Sequence, residues 1–169
     1  MTTTAPLADS RAIGLAHYAA RAVLEQVMAR HGLDFLQTTV LRPLATADEP
    51  PSRAQLVQVV VDAVKVSAAQ VERTVEELAG RGLLTVDDSG AVRLTEAGRQ
   101  VYAAGAAETA QASARIWAGF PEADLAAAGR VLALVAERAN AELAAAGHRP
   151  RQADPDQADP DQAHPDQKR

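Results

Sequence analysis

Between Ser67 and Leu78 the chain sets one guanidinium and several short polar groups on a single helical period. If Val71, Val75 and Leu78 form the inward stripe, the outer face presents Ala69, Gln70, Arg73, Thr74 and Glu77. A guanidinium so placed can pair with the O6 and N7 atoms of guanine, or hold a phosphate. It can equally be taken by a carboxylate one turn on, and Glu76 and Glu77 stand three and four residues further along. Ser67 and Gln70 read first as a helix cap and its partner, although a hydroxyl and an amide can also touch DNA. Lys65, Arg53 and Arg93 are candidate phosphate contacts or simply solvated cations.

Other chemistries lack their parts. The histidines are scattered without the paired helical spacing of a metal site, and His164 sits in a repeat. With no cysteine, disulfides, cysteine-ligated zinc and thiol redox sensing are excluded. No nucleophile, base and orienting group converge in any motif, so no catalytic residue, metal or cofactor is expected and the chain does not read as an enzyme.

Short helices must position these groups. Asp34 to Gln37, Ser52 to Gln55 and Ser67 to Gln70 each place an oxygen-bearing side chain three residues before a Gln, the pattern of a capping box. The first helix after these caps should bury Leu36, Val40 and Leu44, and Pro43 should end or kink it near Leu41. The second spans about residues 53–65. Its run Leu56-Val57-Gln58-Val59-Val60-Val61 suits a strand, but the cap and the broken alternation at Val60 favour a helix. The third runs over about 68–79. Two short apolar runs around Asp87-Asp88-Ser89-Gly90 then read as a β-hairpin.

Long helices flank this unit. One covers about 12–30, with Leu15, Tyr18, Ala22, Gln26 or Val27, and Arg30 along one side, Val23 beside them, and His31-Gly32 at its end. Thr95 can cap another that reaches Trp117, and Pro121 opens a last one with Leu125, Ala128, Leu132, Val135, Ala139 and Leu143 in register. Residues 1–10 read as a disordered leader. Residues 148–169, with their ADPDQ repeat, contain no large apolar side chain and read as a disordered tail.

The 169 residues suit one domain, over residues 11–147. Hydrophobic residues make up 47% and aromatics only 3%, which favours helices packed through small side chains. The net charge is -5. Residues 151–169 hold five aspartates against three basic side chains, leaving 14 basic and 17 acidic groups elsewhere. Non-specific attraction to phosphate should therefore be modest. Neither a signal peptide nor a membrane-spanning run is visible, so a soluble cytoplasmic protein is expected.

The order of elements, with Ser67-x3-Val71-x-Arg73-x-Val75-x2-Leu78-x3-Gly82-Leu83, Leu94-Thr95-x2-Gly98 and Gly32-Leu33-Asp34-x2-Gln37, resembles the MarR family of bacterial transcriptional regulators. The resemblance covers about residues 12–146. It implies a mainly α fold with a small β-hairpin wing: a winged helix-turn-helix over 33–98, flanked by dimerisation helices over 11–31 and 96–147. It also implies a homodimer on a pseudo-palindromic site in double-stranded DNA, with half-sites about 10 bp apart. Such a protein would act as a repressor released by a small aromatic effector bound between the lobe and the dimer helices. On that resemblance Arg53, Lys65, Ser67, Ala69, Gln70, Arg73, Thr74 and Arg93 become candidate DNA contacts. His17, Tyr18, His31 and Trp117 become candidate effector contacts, while each histidine can be merely structural and Trp117 with Phe120 can be dimer core.

The chain departs from the family in two places. The wing tip is short and acidic where members carry a longer hairpin with a minor-groove arginine, and the stretch 56–67 is about one helical turn longer than the family pattern. Two rivals follow: a winged helix used for protein contacts, and an enzyme fragment such as the opening domain of certain methyltransferases. The second needs a glycine-rich nucleotide-binding domain, and the 71 residues after Gly98 contain no Gly-x-Gly.

Overall fold

The computed structural model describes residues 8–147. The leader assigned to residues 1–10 lies outside them apart from its last three positions, and the repeat tail lies wholly outside. Among the described residues there are six helices and one hairpin: α1 (Ser10–Arg30), α2 (Phe35–Thr46), α3 (Arg53–Val64), α4 (Ala68–Gly80), β1 (Leu84–Val86), β2 (Val92–Leu94), α5 (Glu96–Trp117) and α6 (Glu122–Ala145).

All three capping boxes close. The Asp34 carboxylate accepts from the Gln37 amide at 2.7 Å, while the Gln37 side chain accepts from the Asp34 amide at 3.2 Å. Ser52 with Gln55 and Ser67 with Gln70 repeat the exchange. Each box satisfies two donors that a helix start leaves without partners. The valine-rich α3 is helical, with Leu56, Val57 and Val60 buried and Val59 turned to solvent. A strand would have alternated these faces; the cap at Ser52 fixes the helical one.

Three boundaries differ from expectation. α1 begins at Ser10 because Asp9, assigned to the leader, caps it by accepting from the Ala12 amide at 2.7 Å. Pro43 does not end α2, which continues to Thr46. Proline removes one backbone donor, but its fixed φ is helical. The turn beyond it holds, the Ala47 amide donating to the Pro43 carbonyl at 3.0 Å. α3 stops at Val64, one residue short, because Lys65 adopts the left-handed conformation with φ 57°.

α2, α3, α4 and the hairpin enclose the core, where Val40, Leu41, Leu56, Val71, Val75 and Leu78 are fully buried. Leu36 and Leu44, expected inside, are only half-buried at its edge. The hairpin pairs Leu84 with Leu94 and Val86 with Val92. It is braced sideways on the approach to α3. Ser52 bridges Ala91, the Val92 amide donates to the Pro51 carbonyl, and the Arg53 amide donates to the Gly90 carbonyl.

The first turn of α5 lies against the α4–β1 connection. The Thr95 amide donates to the Leu83 carbonyl, and the Thr95 hydroxyl donates to the Gly82 carbonyl while accepting from the Gly98 amide. Further along, α1 crosses α5 where Met28 meets Gly105, and Arg30 and His31 both bond Glu108. These two partners hold the Glu108 carboxyl below the usual carboxylate range, the Arg30 hydrogen bond contributing most. Beyond this crossing the helices leave the core. α6 buries no residue, and Val131, Leu132, Leu134 and Val135 are exposed, as are Leu15 and Tyr18 on α1.

Candidate nucleic-acid interface

α4 presents its outer face away from the core, with Ala69, Gln70, Arg73, Glu76 and Glu77 exposed. Arg73 makes no ion pair or side-chain hydrogen bond among the described residues. Glu76, the carboxylate most able to capture it, is bound instead by Arg53 at 2.9 Å. Arg53 also grips Glu72, so one guanidinium on α3 spans two carboxylates on α4. Those two hydrogen bonds, the one to Glu72 first, raise the Arg53 pKa above the ordinary arginine value.

Two expected placements are therefore corrected. Thr74 is buried, not on the outer face, and its hydroxyl donates to the Gln70 carbonyl at 3.0 Å. It sits at the margin of the Val71–Val75–Leu78 stripe, and that intrahelical bond satisfies the hydroxyl inside. Arg53 is not a merely solvated cation, because its Nε and Nη2 donate to Glu72 and Glu76.

Ser67 and Gln70 are committed to the cap, and their other polar atoms face outward. Ser67→Ala is expected to lower stability by about 1 kcal/mol and Ser67→Gly by only a few tenths. Urea unfolding midpoints read this, and equal losses for both would contradict a cap of this strength. Lys65 is exposed at the turn between α3 and α4. Arg93, at the base of the wing, lies 3.7 Å from Asp87, a loose pair on an exposed surface. Asp87 organises the wing tip, accepting from the amides of Ser89 and Ala91 and from the Ser89 hydroxyl. Those bonds, the Ser89 hydroxyl first, hold its carboxyl below the ordinary aspartate value. The tip is thus a closed turn carrying negative charge.

The four residues expected to contact an effector do not meet. His17 and Tyr18 are exposed, with their rings edge to face at 5.6 Å. His31 lies about 21 Å further along the axis of α1. It bonds Glu108 at 3.0 Å. Trp117 packs edge to face on Phe120 at 6.2 Å, and both are more than half exposed. A cleft of about 520 Å³ opens elsewhere, between the end of α2, β2 and the start of α5, lined by Leu44, Pro50, Arg93, Leu94, Arg99 and Tyr102 among others. Sequence reasoning missed this cleft and the Arg53 bridge. It also missed Arg81, which ties the end of α4 to the α1–α2 turn by donating to Gln37 Oε1 at 2.9 Å and to the Gly32 carbonyl at 2.8 Å.

A helix-turn-helix with a two-stranded wing, set between long helices, is a winged-helix architecture. More narrowly, this is the fold of the MarR family of transcriptional regulators. CouR from Rhodococcus jostii RHA1, solved bound to p-coumaroyl-CoA, aligns over 79% of this chain and 96% of its own at TM-score 0.62 and 21% identity. A MarR-family protein from Listeria monocytogenes, solved in complex with a 26mer DNA, aligns over 88% and 100% at TM-score 0.66 and 20% identity. A MarR-family regulator from Rhodococcus sp. RHA1 aligns over 78% and 98% at TM-score 0.61 and 22% identity. At these identities the likeness is one of fold. No family model and no curated protein sequence matches the chain. Among the described residues no helix is long and apolar enough to cross a membrane.

Proposed function

We propose that this chain is a DNA-binding transcriptional regulator of the MarR type, acting as a homodimer on a pseudo-palindromic operator. The observation that carries the reading is the unpaired, exposed Arg73 at the centre of the outer face of α4, with the cation Lys65 before the same helix. A helix so placed can enter a major groove, where a guanidinium pairs with guanine. Support for a dimer comes from the exposed apolar side chains of α1 and α6, Leu15, Tyr18, Val131, Leu132, Leu134 and Val135 among them, since clustered apolar surface marks interaction sites. The described fold contains no cluster of metal-ligating side chains, and the reading assigns the protein no catalytic role. It acts as a repressor that a small molecule releases. The cleft beside the wing suits such a molecule better than the four separated residues on α1 and α5.

A mobility-shift experiment on the DNA upstream of the protein's own gene tests this. Binding should weaken as salt rises, and Arg73→Ala should reduce affinity by about 1–3 kcal/mol. Absence of a shift at low salt would reject the regulator. A second reading, a winged helix that docks on protein, is favoured by one observation. The carboxylates of α4 and the wing (Glu72, Glu76, Glu77, Asp87 and Asp88) outnumber the cations Arg73 and Arg93. That reading expects the same null result in the shift experiment and a basic protein partner.

A further inference from the structure

We propose that Arg53 is a positioning residue for DNA recognition: by holding Glu72 and Glu76 toward α3, it keeps the Arg73 guanidinium free for the DNA. This rests on the regulator reading for its purpose, but not for its geometry.

Around α4, Glu76 stands about 60° from Arg73 on the outward side, three residues on, within reach of an ion pair along the helix. Glu72 lies on the flank facing α3. Left alone, these carboxylates would do two things. Glu76 would compete with DNA for Arg73, and both would repel the phosphates that a groove-bound helix approaches. In the structure neither is available for that, because Arg53 binds both, one through Nε and the other through Nη2. The arginine side chain is about one-third exposed, between the two helices. Its own backbone is fixed at the start of α3, where its amide donates to the Gly90 carbonyl in the wing. One side chain therefore joins α3 to α4, draws both carboxylates toward α3 and offsets one of their two negative charges.

Glu77, four residues after Arg73, is the remaining competitor. It makes no ion pair among the described residues; an arginine placed before its glutamate is the weaker order for such a pair, at Glu77 as at Glu76. Arg73 is thus left unpaired: Arg53 holds Glu76, and Glu77 makes no contact with it.

The test compares the full-length protein with Arg53→Gln, Glu72→Gln/Glu76→Gln and the triple variant, using two readouts. The first is the rate at which phenylglyoxal modifies Arg73, followed by peptide mass spectrometry without DNA. R53Q should slow the modification roughly threefold, the scale of an exposed ion pair, and the triple variant should restore it. The second is affinity for the duplex upstream of the protein's gene. R53Q should weaken it about tenfold or more, and the triple variant should recover most of the loss. The salt slope should not fall in R53Q. Arg53→Lys keeps the charge but cannot offer both carboxylates separate nitrogens of one fork, so it should fall between the two.

Unchanged labelling of Arg73 in both R53Q and R53K would overturn the proposal. So would an affinity loss that the glutamine pair does not rescue and that lowers the salt slope by about one, since Arg53 would then be a phosphate contact. If the parent protein binds no DNA, the regulator reading falls, and the labelling rates still decide whether Arg53 frees Arg73.

Discussion

Gly98→Ala should unfold this protein more readily than any other single-methyl change in it. A Cβ at this position would land on the carbonyl oxygen of Leu83, well inside van der Waals contact, and 2.9 Å from the carbonyl carbon. Both atoms are backbone, so no rotamer change can clear them. That carbonyl also accepts the Thr95 amide, and Thr95 caps α5 through the Gly98 amide. Moving α5 outward would therefore strain the cap and the hairpin exit together. Overpacking of a closed site costs about 1–3 kcal/mol and occasionally more. A rigid backbone obstacle belongs at the upper end. For a chain of this size that is a fall in melting temperature of roughly 6–12 °C. Gly80→Ala is the control, because nothing lies within 4 Å of its Cβ and φ is ordinary. It should stabilise by up to about 1 kcal/mol, as alanine does for glycine in a helix. Thermal unfolding followed by circular dichroism compares them, and a melting point for G98A at or above the parent value would refute the packing described.

The largest functional loss should follow from Leu132→Asp combined with Val135→Asp. These side chains lie on α6, which buries nothing within the chain, so the variant should keep its folded lobe and its circular dichroism. What it should lose is self-association. Two carboxylates placed in an apolar contact would each lose water without gaining a partner, a cost of several kcal/mol. Size-exclusion chromatography with light scattering should report a dimer for the parent and a monomer for the variant. DNA affinity should then drop by about a hundredfold or more, because the second lobe no longer binds as part of the same molecule. A variant that stays dimeric with unaltered affinity would remove α6 from the proposed interface.

Local chemistry made much of this fold legible. Three serine or aspartate caps paired with glutamines mark α2, α3 and α4 because both bonds of each box form within four residues. Thr95 marks α5 by a single cap bond to the Gly98 amide, and Asp87 to Gly90 mark the turn. The motif Leu94-Thr95-x2-Gly98 carried a resemblance in the sequence, but the reason for its glycine is the Leu83 carbonyl fifteen residues earlier. Distance in sequence is what hid the rest. Arg53 reads as a free cation until α3 packs on α4 and brings Glu72 and Glu76, about twenty residues away, to either side of it. Arg81 finds Gln37 and Gly32 across a longer gap still. Thr74 was misread because a hydroxyl looks polar on a helical projection, although its own helix can satisfy it. Pro43 was misread because its missing donor matters little so near the end of α2. The apolar stripe of α6 was legible as a stripe, yet among the described residues nothing covers it.

The wing is fastened to the approach to α3 by the Pro51, Arg53 and Ser52 backbones, while Arg53 fastens α3 to α4 and Arg81 fastens α4 to the α1–α2 turn. Each of these elements is tied to the next, which favours the wing and α4 moving together. A two-fold pair of such lobes would work like a set of calipers. Each jaw moves as one piece, and the gap between them is the setting to adjust. An effector would then act by altering the span at which two half-sites can be touched together, leaving the letters read by each jaw unchanged.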